Sequence, residues 1–406
     1  MKVVRYSLSV ICIVAIFCVA SLSQTSTRRR TALQLQPARS KRVRPPESKL
    51  VDVEGHKISF KVAGAGSPTV VLDYGLGGSS GDWDSVFPAV ARFTRVVSYD
   101  RAGYGKSEAG PAPRSQEQLA KELHTMLRNA GIMPPYVLVG HSLGGANIRA
   151  FAYLFKDEVA GLVFVDPFQE RVFTSQTKAE LDAAMQQQAN AMKGAPAGPL
   201  EEWKFISSEV RNGFPQLTAY GPPPDVPMMI IVSGRDRPPR WAASAIEEFT
   251  PWVTHAREAG MVFTTDDPHN VMAADPELLT SSIRRVVFPS VQNALENEIK
   301  EKGVPAAIAR YRQMRLRYPT EYFKERTLNV LGYQQMNAHH VEEAIALFKL
   351  NVEMYPRAFN TYDSLGEAYM VHGDRLLAIR NYRKSLALNS ENTNAAEKLK
   401  QLASRQ

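Results

Sequence analysis

Tyr136-Val-Leu-Val-Gly-His-Ser-Leu-Gly-Gly145 is the stretch that decides the fold. Four apolar residues lead into Gly140-His-Ser-Leu-Gly144, a G-x-S-x-G pattern located where a strand should end and a helix should begin. Such a turn lifts the serine hydroxyl above the sheet but crowds the backbone, so only small residues fit two positions before and after Ser142. The pattern makes Ser142 a candidate nucleophile, although a glycine-rich turn with an incidental serine gives the same letters.

Strand-like and helix-like segments alternate on both sides of this stretch. Leu50–Val53 and Lys57–Val62 flank Glu54-Gly55 as an antiparallel hairpin. The later segments are predicted as strands at Thr69–Tyr74, Thr94–Tyr99, Val159–Val165, Val226–Val232 and Met261–Thr265, and as helices at Trp83–Phe93, Pro113–Ala130 and Pro276–Val287. This alternation predicts that residues 49–288 form an α/β domain with a doubly wound, mostly parallel sheet.

Three loop sequences follow one another between Val70 and Asp166, and they carry a family resemblance. They are Gly75-Leu-Gly-Gly-Ser-Ser80, Tyr99-Asp-Arg-Ala-Gly-Tyr-Gly-Lys-Ser107 and Gly140-His-Ser-Leu-Gly-Gly145. In these loops the chain resembles the α/β-hydrolase fold family. The resemblance implies a serine hydrolase that needs no metal or organic cofactor. It also implies an oxyanion hole formed by the backbone N–H groups of Leu76 and Leu143.

A serine nucleophile needs a general base and an acid that orients the base. His269 follows the last predicted strand and is the expected base. Asp236 follows Val226–Val232 and is the expected acid, which gives the chain order Ser, Asp, His known for this fold. Asp166, which follows an earlier strand, is the alternative acid. His141 is next to the serine in sequence and is not expected to serve as the base, and Asp100 and Arg101 are expected to hold their loop.

Residues 171–225 interrupt the alternation. Ala179–Met192 and Glu201–Val210 are helix-like, and Gly194-Ala-Pro-Ala-Gly198 separates them. By resemblance to the family, this segment is expected to be a helical lid that lines an apolar pocket and excludes water. A surface insertion without a role is the alternative.

Residues 1–48 differ in composition from the rest of the chain. Lys2 and Arg5 precede an uncharged run from Tyr6 to Ser23. Residues 1–23 are therefore expected to be a signal peptide or a membrane anchor, with residues 6–23 as the possible tether. Export would place the protein in the periplasm or outside the cell, or hold it at a membrane. Residues 24–48 are expected to be a disordered basic linker.

Charge and cysteine content exclude several functions. Nine of the 49 basic residues and none of the 41 acidic residues fall within residues 1–45, which leaves 40 basic against 41 acidic residues in the body. A nucleic-acid-binding surface is therefore not expected. Both cysteines, Cys12 and Cys18, lie in the N-terminal apolar run. A mature chain without that run has no thiolate for a metal site or a nucleophile.

Residues 289–406 contain a repeat with a period of about 34 residues, the value of tetratricopeptide repeats. Leu331-Gly332 recurs as Leu365-Gly366, Ala344 recurs as Ala378, and Phe348 recurs as Tyr382. We expect tetratricopeptide-like helical repeats that bind a protein or peptide, or that only pack or self-associate.

The leading functional prediction is a serine hydrolase that cleaves a carboxylic ester or related acyl bond of a small molecule through an acyl-enzyme on Ser142. The alternative, from another class, is a surface adaptor whose repeats bind a protein partner while the hydrolase domain serves as a scaffold.

Overall fold

The computed structural model describes residues 46, 48–235, 237, 239–256 and 258–404. The predicted signal or anchor segment, residues 1–23, lies outside the described residues, as does nearly all of the predicted linker. Within the described ranges, no helix has the length and apolar character needed to cross a membrane. The chain divides into two compact units between Val287 and Phe288.

Eight strands form one sheet in the described part of the first unit, in the order β1-β2-β4-β3-β5-β6-β7-β8. The strands are β1 Ser48–Val53, β2 His56–Ala63, β3 Thr69–Asp73, β4 Val96–Tyr99, β5 Tyr136–His141, β6 Val159–Val165, β7 Met228–Ser233 and β8 Ala259–Thr264. β1 and β2 pair antiparallel, β2 also pairs antiparallel with β4, and every later pairing is parallel. The predicted mostly parallel sheet is thereby confirmed.

Helices of this unit connect the strands and cover the sheet. They are α1 Phe87–Val90, α2 Gln116–Asn129, α3 Leu143–Leu154, α4 Glu170–Thr174, α5 Lys178–Ala191, α6 Ala197–Arg211, α7 Pro215–Ala219, α8 Pro239–His255, α9 Val271–Ala274 and α10 Pro276–Val287. α2 packs on α3, whereas α1 packs on α10. Every residue of β3, β4, β5 and β7 is buried, as expected for parallel strands covered on both faces.

The segment predicted as one helix from Trp83 to Phe93 is wrong in length. A 3-10 turn at Ser80–Trp83 is followed by turns and by the four-residue helix α1. Pro88 lies at the start of α1, where a proline is tolerated because the first helical N–H groups lack partners. The same residue in the middle of the predicted longer helix would remove an internal hydrogen bond, so the helix starts there.

The second unit is entirely helical where the structure describes it. Its helices are α11 Val291–Lys302, α12 Val304–Arg317, α13 Glu325–Asn337, α14 Val341–Met354, α15 Phe359–His372, α16 Arg375–Leu388 and α17 Thr393–Ser404. Successive helices pack in pairs, and in two pairs a glycine of the first helix faces a ring of the second, Gly332 on Phe348 and Gly366 on Tyr382. The helical character of this region is confirmed, and its tetratricopeptide-like nature stays a prediction.

Candidate active site

Ser142 lies between the end of β5 and the start of α3 in an unusual backbone conformation. Its φ is 52° and its ψ is −120°, a region that a residue with a Cβ rarely occupies. A Cβ on Gly140 would lie 2.4 Å from the Gly144 carbonyl oxygen, and a Cβ on Gly144 would lie 2.4 Å from the Asp73 carbonyl oxygen. Backbone segments approach each other so closely around Ser142 that positions 140 and 144 both need glycine. The serine side chain does not cap α3.

His269 lies in the loop that follows β8, and its ring is bound to a buried carboxylate. Its Nδ1 atom is 2.5 Å from Oδ2 of Asp166, which directly follows β6 and is fully buried. A neutral histidine that donates its Nδ1–H in this way leaves Nε2 as the acceptor nitrogen. Such an imidazole can accept a proton at Nε2 and return it, while the carboxylate stabilises the charged ring between these steps.

Asp166 is held from several sides. Oδ1 accepts a hydrogen bond from the Ser233 N–H at 3.0 Å, and Oδ2 accepts one from the Ser233 hydroxyl at 2.6 Å. Nη2 of Arg237 lies 2.8 Å from the same Oδ2. Burial alone would raise the pKa of Asp166, but the bond to His269 and the Arg237 charge outweigh it and hold the pKa at about 2. The carboxylate is therefore ionised at neutral pH.

The sequence named Asp236 as the acid and Asp166 as the alternative. Asp236 lies outside the described residues, whereas Asp166 is bonded to His269. Both residues follow the ends of strands that are neighbours in the sheet, β7 and β6. Sequence position alone therefore could not choose between them. Arg237, which no motif singled out, is a further charged neighbour of the pair.

His141 contacts the His269 loop instead of the serine hydroxyl. Its Nε2 atom is 2.9 Å from the His269 carbonyl oxygen, and the two imidazole rings lie 4.5 Å apart between centroids. Burial, and to a smaller extent the charge of the neighbouring His269, lower the pKa of His141 to about 3. The neutral ring therefore donates from Nε2 and fixes the backbone of the loop that carries His269. No local sequence pattern indicates this contact, because 128 residues separate the two partners.

The loop after β3 approaches Ser142 closely. A Cβ on Gly75 would lie 3.0 Å from the Ser142 Cβ and 3.5 Å from its Oγ, so a larger residue at this position would crowd the serine. Leu76 and Leu143, whose N–H groups the sequence nominated as oxyanion donors, line the same cavity as Ser142. Leu143 is the first residue of α3, and the first N–H groups of a helix have no intrahelical acceptor. Residues from two elements, the loop after β3 and the start of α3, therefore line the cavity together with Ser142.

The segment between β6 and β7 forms helices α4 to α7, which contribute most of an apolar cavity beside Ser142. The cavity is lined by Leu76, Ser142, Leu143, Phe168, Phe173, Met185, Gln188, Trp203, Ile206 and Val210. Its free volume is about 30 Å³. By this measure a cavity needs about 10–15 Å³ to hold one water molecule, so this cavity has room for about two, and a larger guest must displace lining side chains. Among the residues that the structure describes, no group of three or more His, Cys, Asp or Glu side chains could hold a metal ion.

Comparison with known proteins identifies the fold. Residues 68–263 match the family model described as alpha/beta hydrolase fold. The uncharacterized protein YqjL of Bacillus subtilis is 36% identical over 104 residues, which are 26% of this chain and 41% of that protein. The 2-hydroxy-6-oxo-6-(2'-aminophenyl)hexa-2,4-dienoic acid hydrolase of Metapseudomonas resinovorans is 29% identical over 119 residues, which are 29% of this chain and 41% of that protein.

A solved structure is similar over a larger part of the chain. The epoxide hydrolase CorEH has a TM-score of 0.48 and 17% identity, and the match covers 60% of this chain and 99% of that one. The chain spans between 19% and 41% of the length of the first curated relatives that it matches. The sheet and the family match together give the first unit the α/β-hydrolase fold.

Proposed function

We propose that this chain is a serine hydrolase that cleaves a carboxylic ester or a related acyl bond. The observation that carries the proposal is a histidine whose Nδ1 atom is 2.5 Å from a buried carboxylate, in a chain whose serine elbow is strained and leaves the serine side chain uninvolved in capping α3. Backbone strain at Ser142 and at Asp166, where φ is 40°, supports the same view, because strained residues concentrate at active sites. The activity named for the relative from Metapseudomonas resinovorans, a hydrolase, is consistent with this class.

In the proposed reaction, Ser142 Oγ attacks the carbonyl carbon of the substrate while His269 Nε2 takes the hydroxyl proton. The tetrahedral intermediate collapses when the bond to the alcohol breaks, and the imidazolium gives its proton to the departing oxygen. A water molecule then attacks the acyl-enzyme with His269 again as base. Cleavage of the acyl–Ser142 bond returns the proton to Oγ and releases the carboxylic acid.

Asp166 is the proposed orienting acid in place of Asp236. A carboxylate in this role must accept the Nδ1–H of the base and must stay charged throughout the cycle. Asp166 satisfies the first requirement by its 2.5 Å contact and the second by its pKa of about 2.

The negative charge of the intermediate is proposed to lie between the N–H groups of Leu76 and Leu143. Donors fixed in advance stabilise such a charge without reorganising during the reaction. The short approach of Gly75 to Ser142 brings one donor-bearing loop to the serine, and the N-terminus of α3 brings the other together with the positive end of its dipole.

The proposed acyl group is small and apolar. Aromatic and aliphatic side chains of α4 to α6 form most of the cavity beside Ser142. Gln188 is the one polar residue that these three helices contribute to the described lining. An acyl chain that enters the cavity must push aside flexible side chains such as Met185, since methionine adapts its shape easily. We therefore propose that α4 to α7 act as a lid that adapts to the substrate.

Hydrolysis of p-nitrophenyl esters from acetate to decanoate tests this function. We expect turnover of the short esters by the wild type, and a loss of more than about 10³-fold in kcat for both Ser142→Ala and His269→Ala. Circular dichroism of each variant controls for folding. Equal turnover by folded Ser142→Ala would refute the proposal.

The other expectations stay predictions. A protein or peptide partner of the repeats, export, and a tether through residues 6–23 each need their own experiment. Deletion of residues 290–406 tests the role of the repeats: full ester hydrolysis together with loss of a pulled-down partner would favour a binding role for them. A chain that loses hydrolysis in the same deletion would instead need its second unit for activity.

A further inference from the structure

Arg101, the second residue after β4, is a buried arginine with every donor in use. Its side chain is 1% exposed. The five N–H groups of a guanidinium form a rigid planar fork, so satisfying all of them fixes the side chain completely. The partners are the Glu202 carboxylate (2.7 Å from Nε and 2.9 Å from Nη2), Asp73 Oδ1 (2.6 Å from Nη1), the Tyr74 carbonyl (2.7 Å from Nη1) and the Gly75 carbonyl (3.0 Å from Nη2).

One of these bonds bears directly on the proposed oxyanion hole. The Gly75 carbonyl and the Leu76 N–H belong to the same peptide unit, which is planar, with the two groups pointing in opposite directions. Arg101 donates to the carbonyl side of this unit, and the Gly78 N–H donates to the same oxygen at 3.3 Å. Holding the carbonyl fixes the direction of the Leu76 N–H. A cation on the carbonyl also polarises the peptide and strengthens the N–H as a donor.

The other side of Arg101 is held by the lid. Glu202 lies on α6, is 1% exposed, and also accepts a hydrogen bond from the Tyr104 hydroxyl at 2.7 Å. Backbone contact reinforces this attachment, because a Cβ on Gly103 would lie 2.7 Å from the Gly198 Cα at the start of α6. One cation therefore joins the loop that carries Leu76 to the lid helix that lines the cavity.

We propose that Arg101 is a positioning residue that orients the Leu76 N–H for the oxyanion, and that Glu202 of the lid holds Arg101 in the orientation required. The inference rests on the proposed function, since it assigns a role within the same site. Arg101 acts through the Gly75–Leu76 peptide and does not touch the substrate. Loss of the guanidinium group and its hydrogen bonds should therefore weaken binding of the transition state more than binding of the substrate.

Arg101→Lys tests the proposal with the positive charge retained. A lysine ammonium is a compact point charge that cannot bond Glu202 twice and still reach both carbonyl groups. The matched control is Arg149→Lys, because Arg149 also binds the lid through Glu170 and the carbonyls of Leu217 and Gly221. Arg149 has no bond to the Gly75 carbonyl among the described residues.

The readouts are kcat and KM on a p-nitrophenyl ester, and the Ki of a boronic acid with the same acyl group, which forms a tetrahedral adduct on the serine. For Arg101→Lys we expect kcat to fall and Ki to rise together by about 10- to 100-fold, less than the 10²- to 10³-fold cost of removing an oxyanion donor. KM should stay within about threefold. For Arg149→Lys we expect kcat and Ki within about threefold of the wild type.

A folded Arg101→Lys variant with wild-type kcat would overturn the proposal, and so would equal losses in both variants, since that indicates a general lid effect. If thermal unfolding shows that Arg101→Lys does not fold, Glu202→Gln replaces it. The same parallel change in kcat and Ki at constant KM is expected there, and an unchanged kcat overturns the proposal. Wild type that neither turns over esters nor reacts with a fluorophosphonate at Ser142 refutes the proposed function itself and this inference with it.

Discussion

Replacing Asp166 with asparagine should disable catalysis while preserving the shape of the site. Oδ2 of Asp166 accepts from His269 Nδ1, the Ser233 hydroxyl and Arg237 Nη2, and Oδ1 accepts from the Ser233 N–H. Every contact that the carboxylate makes in the described structure is therefore with a donor. An asparagine brings an NH₂ group, which is itself a donor, to one of the two positions.

Both orientations of the amide are unfavourable. With NH₂ in place of Oδ2, His269 can pair only through Nδ1 as acceptor, which puts its proton on Nε2, the atom that must accept from Ser142. With NH₂ in place of Oδ1, the amide faces the backbone N–H of Ser233, and the charge that stabilises the imidazolium is still lost. We expect kcat to fall by about 10³- to 10⁴-fold, or about 4 to 5 kcal/mol of barrier, with KM within about threefold.

The assay is steady-state hydrolysis of p-nitrophenyl butyrate at pH 7.5 by Asp166→Asn and, as the matched control, Asp236→Asn. The control should retain kcat within about threefold, because Asp166 already occupies the Nδ1 side of His269. Retention of more than a tenth of wild-type kcat by Asp166→Asn would refute this reasoning. A larger loss in Asp236→Asn would return the role of acid to that residue.

Three further predictions concern pH, the helical unit and the lid. The folded-state pKa of His141, about 3, lies below its ordinary value of 6.5, so the unfolded chain binds the proton more tightly and stability falls as the pH drops from 6.5 towards 3. His141→Gln keeps a hydrogen-bond donor but does not titrate. Between pH 7 and pH 5 its unfolding free energy, measured by urea titration, should therefore fall by about 2 kcal/mol less than that of the wild type. An equal fall in both proteins would contradict the low pKa of His141. Gly332→Ala should destabilise its helix pair by about 1–2 kcal/mol, as measured by hydrogen exchange, because the new Cβ would lie 2.4 Å from the Phe348 ring. Gly366→Ala should be nearly neutral, because its Cβ would lie 3.1 Å from the Tyr382 ring. Equal destabilisation by the two substitutions would contradict this prediction. Trp203→Ala should enlarge the cavity and move the best p-nitrophenyl ester several carbons towards longer chains, and an unchanged profile of kcat/KM against chain length would show that Trp203 does not bound the acyl site.

The sheet could be predicted from the sequence because its signals are local. Apolar runs such as Val159–Val165 are short, continuous and bounded by turn residues, and the elbow at Ser142 has its own letter pattern. The helical periodicity of residues 83–93 predicts one continuous helix, but Pro88 restricts the helix to the four residues of α1.

The electrostatic partners in the site could not be predicted, since they join distant parts of the chain. Asp166 and His269 are 103 residues apart, and Arg101 and Glu202 are 101 residues apart. Strand order decides which loop ends meet, and two aspartates at the ends of adjacent strands are equivalent until the order is known. The attachment of α6 to Arg101 likewise depends on how the helices between β6 and β7 pack on the rest of the first unit, which no local pattern encodes.

Covalent labelling of the intact chain with a fluorophosphonate, followed by peptide mass spectrometry, tests whether Ser142 is the catalytic nucleophile. We expect a single phosphonyl adduct on the peptide that contains Ser142, no labelling of Ser142→Ala, and slowed labelling of Asp166→Asn. An unlabelled wild type, or an adduct on another residue that persists in Ser142→Ala, would show that Ser142 is not the nucleophile.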